Sequence, residues 1–226
     1  MEARRTIAHE VYARLRRDII RLAIEPGETL SEAEVARACR VSRQPVREAF
    51  IKLAEDGFLL IRPQRPTVVK PIAEAAVLNA QFIRLAIESA IVADAARSWT
   101  GAGERALAAL LADQEAASAA GDRERFHDLD EAFHREIAER AGRLAAWEAI
   151  DRHKAQMDRV RFLSLAFGTP PTIAQHRRIA AALAAHDERA AVAAIRDHLS
   201  KIKGDLAPLR ARHGAFFAPQ DAPADA

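Results

Sequence analysis

Val41-Ser42-Arg43-Gln44-Pro45-Val46-Arg47-Glu48-Ala49-Phe50-Ile51-Lys52-Leu53 is the stretch on which the reading of this 226-residue chain turns. Val46, Ala49, Phe50 and Leu53 repeat at i, i+3, i+4 and i+7, so a helix through them turns one apolar face into a core. Arg43 and Arg47 are four residues apart and share a different, outward face. Ser42 is a favourable N-cap type, and Pro45 falls in the first turn, where no intrahelical N–H is needed. A helix that opens with a hydroxyl, a guanidinium and an amide offers donors to phosphates and base edges together. These features predict the second, groove-entering helix of a helix-turn-helix.

The flanks extend that reading. Ser31-Glu32-Ala33-Glu34 has the pattern of a capping box, and Val35, Ala36 and Ala38 follow as a short apolar helix. Cys39-Arg40-Val41 is the turn between the two helices. Asp56-Gly57 ends the second, with Gly57 as the C′ residue. Phe58-Leu59-Leu60-Ile61 reads as a strand, Arg62-Pro63-Gln64-Arg65-Pro66 as a turn, and Thr67-Val68-Val69 as the return strand. That hairpin is a wing, which in a winged helix-turn-helix reaches the DNA backbone or minor groove while the helix enters the major groove. The DNA-contacting set is therefore Ser42, Arg43, Gln44 and Arg47 on the helix, with Arg65 and Thr67 on the wing. The competing reading is a small helical domain whose arginines are simply solvated.

Residues 6–70 resemble the winged helix-turn-helix of GntR-family transcription regulators, through Glu25-Pro26-Gly27, Leu30-Ser31-Glu32, Ser42-Arg43-x-Pro45-Val46-Arg47-Glu48-Ala49 and Leu53-x-x-Asp56-Gly57-Phe58. Two positions depart from the family pattern. Arg40 stands where a glycine is usual, which should strain the turn or add a phosphate contact. Arg65-Pro66 stands where Arg-Gly is usual, which alters how closely the backbone at residue 66 approaches DNA.

The net charge is +2, and the basic excess lies in residues 1–70. Half the residues are hydrophobic and few are aromatic, and alanine is abundant, which favours helices. The single cysteine, Cys39, excludes an internal disulfide and suits a reducing cytoplasm. No apolar run reads as a membrane span and no signal-peptide core is present, so a cytoplasmic protein is expected.

The expected fold is mainly α. Residues 1–70 form a winged helix-turn-helix with a small β-hairpin, and residues 71–73 a short linker. Residues 74–212 form an all-α bundle of about six helices, and residues 213–226 a disordered tail in which Phe216 and Phe217 could dock. The first helix runs from Thr6 to about Leu22. The bundle helices are expected at 74–98, 103–119, 122–140, 143–167, 171–186 and 188–212, with breaks at Gly101-Ala102-Gly103, Gly121, Gly142, Gly168 to Pro171 and Asp187.

Asp130 and His134 are four apart on one helical face, His176 lies early in the fifth bundle helix, and His198 lies in the middle of the sixth. One carboxylate and three imidazoles converging inside a bundle would bind a divalent metal. Zinc leads that set, with nickel, manganese or iron as alternatives. Unconverged, the same histidines would be hydrogen-bonded core residues and Asp130–His134 a helix-surface pair. Arg84 sits among Phe82, Ile83, Leu85 and Ile87 and needs an anionic partner, either Glu88 at i+4 or an effector carboxylate. His127 shares a face with Asp130 and His134 and is expected to be a pocket, supporting or surface residue. His9, His153, His186 and His213 are expected on the surface.

Residues 74–205 resemble the FCD ligand-binding domain of the FadR-like GntR branch. The match runs through Arg84-x-x-Ile87-Glu88, Asp130-x-x-Phe133-His134, His176 with Ile179 and Ala182, and Ala194-x-x-Asp197-His198. The resemblance implies that Asp130, His134, His176 and His198 hold a divalent ion beneath a small-molecule pocket. Arg143 and Gln175 replace residues usual in the family. The implied protein is a cytoplasmic DNA-binding regulator, in the first instance a repressor. It would bind a palindromic operator as a homodimer and respond to a small carboxylate effector held in part by Arg84, without enzymatic activity or a membrane. The alternative is a helical metalloenzyme in which the same metal site activates water for hydrolysis.

Overall fold

The computed structural model describes residues 6–151 and 153–219. Helix α1 (Ile7–Ile20) starts at Thr6, whose hydroxyl accepts a hydrogen bond from the His9 amide at 3.2 Å. It buries Val11, Leu15, Ile19 and Ile20. Two short helices follow, α2 (Glu32–Cys39) and α3 (Arg43–Glu55), and α3 buries Val46, Ala49, Phe50 and Leu53, the face expected from its periodicity. Full burial of side chains such as Phe50 and Leu53 contributes about 1.5–3 kcal/mol each, and this face is what holds α3 in place. Between α2 and α3, Arg40 adopts the left-handed region at φ 55°. A non-glycine residue costs about 1–2 kcal/mol there, so the expected strain is present.

The sheet has one strand more than the hairpin. β2 (Leu59–Leu60) and β3 (Thr67–Val69) form the wing, and β1 (Thr29–Leu30) pairs with the other edge of β3. The order is β1-β3-β2, all antiparallel, with Thr29 opposite Val68 and Leu59 opposite Val69. Two residues of strand leave no periodicity to read, so this pairing is tertiary in origin. The capping box also needs correction. Ser31 and Ser42 occupy N-cap positions, but neither hydroxyl makes a capping hydrogen bond. Glu34 lies 4.0 Å from Arg37.

The second half is helical: α4 (Glu74–Ser98), α5 (Gly101–Ala119), α6 (Arg123–Arg140), α7 (Leu144–Asp151), α8 (Ala155–Ser164), α9 (Pro170–Ala184) and α10 (Glu188–Arg212). α4 packs along α10 at the centre, with α6, α7, α8 and α9 around them. The single helix expected over 143–167 is two helices and a 3-10 turn, Leu165–Phe167. The chain breaks where Lys154 is drawn inside to Asp158, Glu131 and Asp151, at 2.6, 2.5 and 3.2 Å. α4 is long and apolar enough to cross a membrane by length and composition, contrary to the sequence reading. It buries Gln81, Arg84 and Glu88 in the protein interior, as a bundle's core helix does.

The tail expectation is also corrected for the residues described. Gly214–Phe216 form a 3-10 turn, and Phe217 is buried and bridges Ile72 of the linker. Residues 220–226 lie outside the described part. The linker is thus clamped: the Ile72 amide donates to Phe216 O at 2.8 Å and Ile72 O accepts from the Ala218 amide at 2.9 Å.

Candidate functional site

α6, α9 and α10 bring Asp130, His134, His176 and His198 together, with one potential ligand atom from each lying within 4.8 Å of the others. Asp130, His134 and His176 are buried and His198 is half-buried. Asp130 Oδ1 is 3.2 Å from His176 Nε2, and His134 Nε2 is 3.1 Å from His198 Nε2.

The outer nitrogen of each ring faces an oxygen, although for His134 Nδ1 the approach does not make a hydrogen bond. His176 Nδ1 meets Gln114 Oε1 at 2.8 Å, and the Gln114 amide nitrogen donates to Leu129 O at 3.1 Å. That second bond fixes the amide, so His176 Nδ1 must be the donor and Nε2 carries the lone pair. His198 Nδ1 faces Gln175 Oε1 at 3.1 Å, and His134 Nδ1 lies 2.6 Å from the Glu88 carboxylate. An acceptor outside a ring favours a lone pair inside, and for His176 the fixed Gln114 amide makes that assignment firm. Three imidazoles and a carboxylate thus face one another, and His176 Nε2 has no hydrogen-bond partner. Such a donor set fits one divalent ion at the usual metal–nitrogen and metal–oxygen lengths of about 2.0–2.2 Å.

The electrostatics agree. Burial alone would raise the Asp130 carboxyl, but the Arg161 guanidinium beside it, with His176, holds it well below the carboxylate range. Burial pushes His198 and His176 down, and for His198 the neighbouring imidazoles add to that push. Burial would likewise raise Glu88, yet Arg84 and His134 bring it down to about 2. The shifts of Asp130, His176 and His198 thus all run toward the forms that bind a metal.

A cavity of about 50 Å³ adjoins the cluster, lined among others by Arg84, His127, Asp130, Arg161, Thr172 and His198. That is room for about three or four water-sized groups. Arg84 is 1% exposed, and its Nε donates to Glu88, the structural partner anticipated. Its Nη2 has no partner, and neither has His127 Nε2, although both residues are buried. The sequence reading missed Gln114 and Arg161. Gln114 had a signal: it sits on the apolar face of α5 with Gly103, Leu107 and Ala117. Arg161 had none. Gln175, a departure from the family pattern, orients His198.

At the other end, Ser42, Arg43, Gln44, Arg47 and Arg65 are exposed and Thr67 is half-buried. Arg47 reaches back to Glu32 at 3.2 and 3.3 Å, and Gln44 to Glu48 at 3.1 Å. Exposed pairs of this kind are worth about 0–1 kcal/mol, so a phosphate or base edge can displace them.

Residues 7–69 match the family model described as bacterial regulatory proteins, gntR family, and residues 80–201 match the FCD domain. The chain is 40% identical to the HTH-type transcriptional repressor RspR of Escherichia coli over 214 residues, 94% of each protein. It is 31% identical to a probable D-xylose utilization operon transcriptional repressor of Paenarthrobacter nicotinovorans, over 87% of each. Among solved structures, E. coli McbR/YncC shares the fold at TM-score 0.78 and 22% identity, over 92% of this chain and 99% of that one. The two sequence relatives are named as repressors and the family model over residues 7–69 is of regulatory proteins, so the hydrolase alternative is set aside and residues 7–69 are a DNA-binding unit. The chain belongs to the GntR family of bacterial transcription regulators, with an FCD domain behind its winged helix-turn-helix.

Proposed function

We propose that this protein is a cytoplasmic, homodimeric repressor whose operator affinity is set by a divalent metal and a small organic acid bound in the FCD domain. The observation that carries the reading is the convergence of three imidazoles and Asp130 beside a cavity with two unpartnered buried polar atoms, on Arg84 and His127. Zinc suits the donor set best, with nickel, manganese or iron as alternatives. A carboxylate entering the cavity can complete the ion's coordination and meet Arg84 Nη2, while His127 Nε2 faces a second polar group of the ligand. Mass spectrometry of co-purified small molecules tests this. Recovery of a carboxylic acid that protects the metal from chelators supports it, and indifference of the metal to every acid tried overturns it.

Ser42, Arg43, Gln44 and Arg47 are assigned to the operator's major groove, with Arg65 and Thr67 at the backbone or minor groove. Arg47→Ala is expected to weaken operator binding by about 1–3 kcal/mol and to relax sequence preference at one base pair. Fluorescence anisotropy at fixed salt, on a sequence selected from random DNA, measures both. Unchanged affinity with an intact fold removes Arg47 from the interface.

The dimer is assigned to the outward face of α4. Ala75, Asn79, Phe82, Ala86 and Ala90 recur along that face and are all exposed, with Phe82 70% exposed. A stripe of small side chains around one phenylalanine allows close helix approach around a two-fold axis, and stable interfaces bury about 1,200–2,000 Å². Phe82→Asp is expected to turn a dimer into a monomer at micromolar concentration by light scattering. A variant that stays dimeric moves the interface off α4, and a monomeric wild type ends the dimer reading.

A further inference from the structure

α8 is one short helix with two separate sets of partners. Ala155, Gln156, Met157, Asp158, Arg159 and Val160 are all buried, an unusual density of polar groups for the interior. Toward the metal cluster, Arg161 Nη2 pairs with Asp130, and Arg161 Nη1 pairs with Glu131 and with Asp158, the last at 2.8 Å. Asp158 also takes Lys154 Nζ at 2.6 Å and faces Arg16 Nη2 at 3.7 Å. Arg16 belongs to α1 of the DNA-binding domain and also pairs with Asp151 at 3.3 Å. An unbroken series of ion pairs, Asp130–Arg161–Asp158–Arg16, therefore runs from a metal-ligand position into the winged domain.

The other partners of α8 lie on that domain. Ala155 is part of its core, with Val11, Leu15, Phe50 and Phe58. Gln156 Nε2 donates to Gly57 O at 2.8 Å, at the residue that terminates α3. Arg159 Nη1 donates to Lys70 O at 2.8 Å, directly after the wing, and to Gln156 Oε1 at 3.1 Å. The end of the groove-entering helix and the end of the wing are thus held by neighbouring side chains of α8. Arg159 is 0% exposed, and its Nε and Nη2 have no partner. A buried cation without a carboxylate is costly, so the docked arrangement carries a cost that undocking relieves.

We infer that α8 is the element through which occupancy of the Asp130 cluster sets the placement of the winged domain. The inference rests on the metal reading above. Asp130, if engaged by a divalent ion, would hold Arg161 less, and the Arg161 guanidinium would turn more fully to Glu131 and Asp158. Asp158 then holds Arg16 less, and α1 with the Gly57 and Lys70 anchors re-equilibrates against α8. Two arrangements differing in a few ion pairs are the kind of bistable element that a ligand can bias.

The full-length protein with zinc chloride alone tests this. Zinc affinity is measured by competition with a chromophoric chelator, and hydrogen exchange is followed at α1 and at residues 57–70. In the wild type, zinc is expected to change exchange in both segments by about fivefold or more, the low end of ordinary couplings. Arg16→Gln should keep zinc affinity and lose the change at α1. Gln156→Ala, a milder second variant, should keep zinc affinity and lose the change at 57–70. If both variants keep the full zinc-dependent change, α8 is not the route. Zinc bound by the wild type with no change in either segment overturns the coupling and leaves the metal site standing. No zinc bound by the wild type overturns both.

Discussion

His176→Ala is expected to abolish tight divalent-metal binding, and with it the stabilisation the ion gives. Its Nε2 points at the cluster without a partner of its own, and Gln114 fixes that tautomer. Removing an orienting group behind a metal ligand costs about 10–100-fold in affinity, the loss expected for Gln114→Ala. Deleting the ligand itself should exceed it. At zinc about 100 times above its dissociation constant, the wild type should gain about 2.7 kcal/mol. For a chain of this length that is a rise of about 5–11 °C in melting temperature, reversed by a chelator. His176→Ala and His134→Ala should show neither the rise nor metal by elemental analysis. The His176 ring stacks on Phe133 at 4.2 Å, so circular dichroism must confirm the helices. Full metal and the same rise in both variants would reduce these histidines to core residues.

The second large effect concerns stability. Asp158→Ala should destabilise the protein by about 3–5 kcal/mol, against a total of about 5–15 kcal/mol for ordinary domains. Asp158 is 0% exposed, and its removal takes one carboxylate away from both Lys154 and Arg161. Burial would lower Lys154, but Asp158 and Glu131 outweigh it and keep the amine charged. Without Asp158 that charge is under-compensated. A surface pair supplies the contrast. Arg177 and Glu115 lie 2.5 Å apart, both largely exposed, and Arg177→Ala should cost about 0–1 kcal/mol. Urea midpoints at constant slope measure both. A loss for Asp158→Ala no larger than that for Arg177→Ala would mean the buried network adds nothing to the fold.

Where local rules act alone, the sequence reading and the structure mostly agree, the capping side chains of Ser31 and Ser42 excepted. α4 and α10 run over the residues expected, and α3 buries the four apolar residues its spacing indicated. Arg40 takes the left-handed turn conformation. Disagreement begins where one segment's conformation depends on another's. β1 exists because β3 has a free edge, and residues 214–218 fold back as a turn because Ile72 offers a backbone partner. The break between α7 and α8 has no proline or glycine to announce it. It lies where Lys154 reaches three carboxylates on other turns and another helix.

The candidate metal centre divides the same way. Residue types and helical spacing singled out Asp130, His134, His176 and His198, because imidazoles on apolar faces carry their chemistry in their names. What surrounds them is different. Gln114, Gln175 and Glu88 turn the lone pairs inward, and Arg161 joins Asp130 to α8. By itself the sequence determined most of the helices, their apolar faces and the candidate ligand types, which follow from contacts within a few residues. Only the tertiary structure decided which lone pairs converge and which buried charges meet. Those depend on distances between residues far apart in the chain, 31 positions for Arg161–Asp130 and 64 for His134–His198, and no local periodicity encodes them.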